Sequence, residues 1–130
     1  MRSPTIAVLL SAALLFHPAR APRAQERNAA ASGPQQRADA VVLRHSAAVL
    51  AVPARRLRVE RPYAAQPGGG GDALDIFEIV MAVEEDLGIA IHDDAIYRAA
   101  GVDDVDSLAQ GLSIAELQAV VREALSAEAD

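Results

Sequence analysis

The chain has no cysteine and almost no aromatic side chains, and each absence narrows what it can be. Without thiols there is no disulfide framework, no thiolate metal site and no cysteine nucleophile. With aromatics at 3% of 130 residues, a core has to be built from Leu, Ile and Val, and this alanine-rich aliphatic mix favours helix over sheet. Basic residues are nearly missing from the second half. Residues 72–130 hold 15 acids against Arg98 and Arg122, a charge of −13, whereas residues 1–71 hold 10 arginines against 3 acids, a charge of +7. So dense an acidic half is repelled by phosphate backbones and attracted to a basic surface of a partner protein, so nucleic acid is not an expected ligand. The apolar run at residues 6–16 has 11 residues, where about 20 are needed to cross a bilayer, and no transmembrane span is expected.

What is present suits one small domain: 52% apolar content and a mean hydropathy of +0.14. Arg2, the run "IAVLLSAALLF" and the small-x-small triplet Ala19-Arg20-Ala21 have the layout of an export signal over residues 1–21, although Pro22 sits badly after the proposed cut. With the signal, the location would be exported or periplasmic; without it, cytoplasmic. Residues 22–37 are polar, rich in Pro, Ala and Gln, and without periodicity, which predicts a disordered linker ahead of a domain at 38–126.

Helical spacing of Val42, Ser46, Val49 and Leu50 predicts a first helix over 38–52, ended by Pro53. Residues 53–71 contain three prolines and four consecutive glycines, a long first loop with Leu57 and Tyr63 as its anchors into the core. Asp72 can cap a second helix running to Leu87, where Gly88 stops it. Ile76, Val80, Val83 and Leu87 form its buried stripe, while Asp75, Glu78 and Glu85 lie on another face. Asp93 or Asp94 can cap a short third helix around 94–100. Ser113 and Glu116 make a capping box for a last helix over 113–125, whose stripe is Ile114, Leu117, Val121 and Leu125. The expected fold is all-α: a small antiparallel four-helix bundle, three main helices and one short, behind a long first loop.

The stretch "GGDALDIFEIVMAVEEDLGIAIHDDA" (70–95) resembles the signature of the acyl carrier protein family, whose second helix opens Asp-Ser-Leu-Asp, continues through Glu-Leu-Val-Met-Ala-Leu-Glu-Glu and leads to a Gly-Ile-x-Ile-Pro-Asp turn. Asp72, Leu74, Asp75, Glu78, Val80, Met81, Ala82, Glu84, Glu85, Gly88, Ile89, Ile91 and Asp93 all fall in place. "AVLAVPARRLRVERPY" and "LSIAELQAVV" are similar to the family's flanking segments, so the resemblance covers roughly residues 38–126. It implies the carrier bundle and a serine esterified with 4′-phosphopantetheine, a thiol arm that presents acyl chains to synthases of fatty-acid or polyketide assembly. Here that position is Ala73. A methyl group has no oxygen with which to attack coenzyme A, so no cofactor is expected on the chain as sequenced. The resemblance also implies a docking face on the second helix: Asp72, Asp75, Glu78, Met81, Glu84 and Glu85.

A literal Asp-Ser-Leu does occur at 106–108. It is followed by Ala-Gln-Gly rather than an acidic helix and lies in an extra loop, "GVDDVDSLAQG", which leaves Ser107 as an alternative attachment site only. His92 replaces the family's proline and reads as a solvated turn residue. Asp103, Asp104 and Asp106 lack the further oxygen ligands and the glycine of a calcium loop, so no metal is expected. His17, His45 and His92 accompany no nucleophile motif, and no enzyme is expected. Three functional expectations follow. The first is a monomeric, armless docking module for a basic synthase-like or transferase-like surface. The second is a working carrier loaded at another serine, and the third an exported envelope domain unrelated to acyl chemistry.

Overall fold

The computed structural model describes residues 23–130, with side chains described from Gly33 onward. The proposed export signal at 1–21 lies outside the described residues. Five helices follow one another: α1 (Arg23–Leu50), α2 (Ala73–Leu87), α3 (Asp93–Ala100), the single turn α4 (Leu108–Gly111) and α5 (Ile114–Ala129). Among the described residues there is no strand, only an isolated antiparallel bridge between Pro62 and Ser113. A small helical bundle is therefore what the chain forms. No helix of the described residues is long and apolar enough to cross a membrane.

α1 begins well before the predicted residue 38. From Arg23 onward the polar segment is helical, and Pro34 lies inside the helix. Ala and Gln form helices well without any apolar stripe, so missing periodicity did not mean missing helix. Pro34 removes one N–H from the ladder but does not end α1.

The helix ends carry the local signals. α1, α2 and α3 each close on a residue in the left-handed region: Ala51 (φ 54°), Gly88 (φ 65°) and Gly101 (φ 68°). In each case the next N–H reaches back across the last turn: Val52 to Ala47 C=O, Ile89 to Glu84 C=O, Val102 to Tyr97 C=O. α5 opens with the Ser113–Glu116 capping box, in which the hydroxyl and carboxylate accept from each other's backbone N–H groups at 3.1 Å. α3 begins one residue earlier than expected. His92 holds its capping position without a side-chain bond, and Asp93 and Asp94 fall inside the first turn, where negative charge suits the helix dipole.

α1 packs against α2 and α5, and α3 leans on α5. Gln118 on α5 donates to the Asp39 C=O at 3.1 Å, and Arg122 pairs with the Asp39 carboxylate at 2.6 Å. Ile76, Ile79, Val80 and Val83 bury one face of α2, and Leu87, expected in that stripe, is half-buried. On α5, Ile114, Leu117 and Val121 are buried and Leu125 is half-buried. The extra loop at 101–111 is more ordered than its sequence suggests: a tight turn at Val105–Ser107 leads into α4, whose Leu108 and Ala109 are buried.

The long loop is fastened rather than loose. Leu57 and Tyr63 are both buried, as expected of its anchors. The Tyr63 phenol shares a buried hydrogen bond of 2.8 Å with Ser46 of α1, and its backbone N–H donates to the Leu112 C=O at 2.9 Å. Gln66, also buried, accepts from the Arg58 N–H at 2.8 Å and donates to the C=O groups of Arg58 (2.7 Å) and Arg61 (2.9 Å). One amide thereby satisfies backbone groups that no helix or sheet would serve. The Gly71 N–H then donates to the Tyr63 C=O at 2.8 Å, delivering the chain to the start of α2. Gly70 (φ 75°) has to be glycine there, since a Cβ would lie 2.2 Å from the Ala64 carbonyl oxygen.

Candidate functional site

Capping fixes the start of α2. The Asp72 carboxylate accepts from the Asp75 N–H at 2.9 Å, and the Asp75 carboxylate accepts from the Asp72 N–H at 3.0 Å. Both acids are thus engaged with backbone, a reciprocal box that holds Ala73 as the first helical residue. Ala73 is half-buried in a cleft of about 340 Å³ whose walls come from Gly71, Asp72 and Leu74 on one side and Val105, Asp106 and Ala109 on the other.

Beyond this turn, helical geometry separates two faces of α2. Residues 76, 79, 80 and 83 point inward, and positions 74, 78, 81 and 85 fall on the opposite side. Leu74 is 77% exposed and Met81 is 62% exposed, with Glu78 and Glu85 exposed beside them. Val105, at the cleft, is a third large apolar side chain left to solvent. The result is a row of alternating apolar and acidic side chains with no partner in the described fold.

Not every expected docking residue lies on that row. Glu84 is half-buried, and its Oε1 accepts from the Ile91 N–H at 2.7 Å, fastening the turn after α2. It holds structure together instead of facing outward. Asp75 is likewise half-buried and committed to the cap. Glu78, Met81 and Glu85 are free. Sequence reasoning missed Leu74 and Val105 as parts of the surface. For Leu74 the signal was available, because an apolar residue off the 76–79–80–83 stripe has to face water or a partner.

Ser107 is half-buried at the end of the tight turn, where its N–H donates to the Asp104 carboxylate at 2.8 Å. Its neighbour Asp106 lines the same cleft as Ala73, so the fold brings the literal Asp-Ser-Leu to the rim of that cleft.

Other titratable groups among the described residues serve the fold. His45 Nε2 lies 2.9 Å from the Asp86 carboxylate, which also pairs with Arg44, and together they tie α1 to the end of α2. The hydrogen bond from His45, with Arg44 close by, holds the Asp86 carboxyl below its ordinary 3.8. Burial pushes the Tyr63 phenol well above its ordinary 10.0, and the Ser46 bond opposes this only in part. His92 is exposed at the start of α3, and His17 lies outside the described residues. No group of three metal-ligating side chains occurs among the described residues. The largest of the principal cavities, about 750 Å³, lies between the early part of α1 and the ends of α2 and α5. Its charged residues include Arg122, already paired with Asp39, and it holds no paired nucleophile and base.

No family model matches the chain, and no solved structure gives a significant match.

Proposed function

We propose that the chain is an acyl-carrier-protein-like domain that has lost its attachment residue and works as a non-catalytic docking module, offering the outward face of α2 to a basic partner surface. The observation that carries this reading is the solvent-facing row Leu74, Glu78, Met81 and Glu85, which leaves apolar area uncovered between carboxylates. Apolar groups flanked by charge of one sign suit a partner that matches both, burying the Leu and Met while its Lys or Arg side chains meet the acids. The family resemblance of residues 70–95 supports the same face. Ala73, a methyl group where a hydroxyl would be needed, supports a module that carries no arm.

Restoring the missing atom tests the reading. With a phosphopantetheinyl transferase and coenzyme A, the wild-type chain is expected to keep its mass and Ala73→Ser to gain one phosphopantetheine. Adding Glu78→Arg and Glu85→Arg to Ala73→Ser is expected to abolish that gain while leaving the helical circular dichroism spectrum unchanged. Failure of Ala73→Ser to load would remove the carrier-like reading. Loading of the wild-type chain would instead favour a working carrier, for which Ser107, beside the same cleft, is the residue to replace first.

A further inference from the structure

The loop after α1 has a character opposite to that of α2. Arg55, Arg56, Arg58 and Arg61 lie within seven residues and are all exposed, with Glu60 as the one acid between them. Among the described residues none of the four is in an ion pair, although Arg44 and Arg122 have found Asp86 and Asp39. In a chain with 18 acids, four neighbouring guanidinium groups are left concentrated and unneutralised.

Their presentation is rigid. Gln66 holds both backbone groups of Arg58 and the C=O of Arg61, Leu57 is buried between Arg56 and Arg58, and the Val59 C=O accepts from the Ala115 N–H at 2.8 Å. The cations therefore stand outward from a backbone that needs no ordering on binding. The chain contains no lysine, and a guanidinium fork can engage two phosphate oxygens at once. None of the five principal cavities is lined by any of the four arginines, so the patch is an outward-facing surface and not a receptacle for a small anion.

We propose that this arginine loop is a docking face for an anionic phospholipid surface. An extended sheet of phosphate groups fits a fixed, outward array of guanidinium groups, each able to engage a separate headgroup. A basic patch alone gives weak attachment, and stable binding takes a second signal. The sequence supplies a candidate in the apolar run 6–16, too short to span a bilayer yet able to add affinity where it is retained. This inference is independent of the α2 reading, since it concerns a different element and the opposite charge.

The test is co-sedimentation of the full chain with vesicles of phosphatidylcholine alone and of an equal mixture with phosphatidylglycerol. The apolar run contributes to both, so the difference reports on charge, and the replacements assign it to the four arginines. At low salt, binding to the anionic vesicles is expected to be roughly 100-fold tighter, falling towards the neutral value as salt is raised. Replacing all four arginines with Glu is expected to remove the preference, and Arg98→Glu, an exposed arginine elsewhere, to keep most of it. Should the quadruple variant fail to fold by circular dichroism, Arg55→Gln with Arg61→Gln is expected to reduce the preference by about tenfold. Equal binding to both vesicles, or a preference that survives these replacements, overturns the proposal. So does loss of the preference to inorganic phosphate at constant ionic strength, which would assign a free-anion site, or equal binding to polyglutamate, which would assign an acidic protein surface.

Discussion

The loop at 53–71 and the outward face of α2 invert what their sequences promise. The loop has the prolines and glycines of a wandering segment, yet Gln66 and Tyr63 account for its buried polar groups one by one. α2 has the regular pattern of a helix that ought to be fully explained, yet it leaves Leu74 and Met81 in water. Regularity of backbone and completeness of packing are thus separate properties. The irregular segment is finished, and the regular one is left open on one side.

Breaking that comparison begins inside α2. Ile79→Ala, which empties a fully buried site facing the core, is expected to cost about 2–5 kcal/mol in urea-unfolding free energy. On the loop, Gln66→Ala strands the Arg58 N–H and the Arg61 carbonyl and is expected to cost about 1–3 kcal/mol, with faster amide exchange between residues 58 and 63 as its local mark. Ala51→Gly sharpens the comparison from the other direction. Ala51 does at the end of α1 what Gly88 and Gly101 do at the ends of α2 and α3, so relieving its left-handed backbone is expected to stabilise the protein by about 1 kcal/mol in thermal unfolding. Leu74→Ala with Met81→Ala on the open face is expected to change stability by less than about 0.5 kcal/mol while weakening partner binding, which separates a surface kept for recognition from one kept for folding. The smallest expected effect is that of Asp86. Its carboxyl is held below 3.8, so its contribution to stability is present above that pH and is lost as acid carries the solution down through its folded value. Asp86→Asn is expected to flatten this part of the acid-unfolding curve.

Much of this was legible because helix boundaries are short-range chemistry. Asp72, Gly88 and the Ser113–Glu116 box each act within four residues, and each stands where its sequence placed it. The anchors Leu57 and Tyr63 were legible as isolated large apolar groups in a polar stretch. The work of Gln66 and Glu84 was not, since their partners are backbone groups that come within reach only after the chain has folded. α1 was underestimated because it extends on alanine and glutamine propensity without an apolar stripe. α4 was overlooked because a single turn is set by burying Leu108 and Ala109, a tertiary event. At the candidate site, Asp72 as the cap that sets Ala73 as the first helical residue was plain from the sequence. That the Asp-Ser-Leu of 106–108 would arrive beside it was not, because 32 residues of chain separate Ala73 from Asp106.

The buried bond between Tyr63 and Ser46 also gives the protein an optical reporter of its own. There is no tryptophan and there are only two tyrosines, so near-ultraviolet absorption is dominated by two rings, one of them sealed between the loop and α1. Because its folded value lies above the ordinary 10.0, the fold is at full strength below that pH and loses support as alkali rises beyond it, where the unfolded chain alone can release the proton. The phenolate band of Tyr63 should therefore emerge in step with the loss of helix, letting a simple alkaline titration time the lifting of the loop against the melting of the bundle.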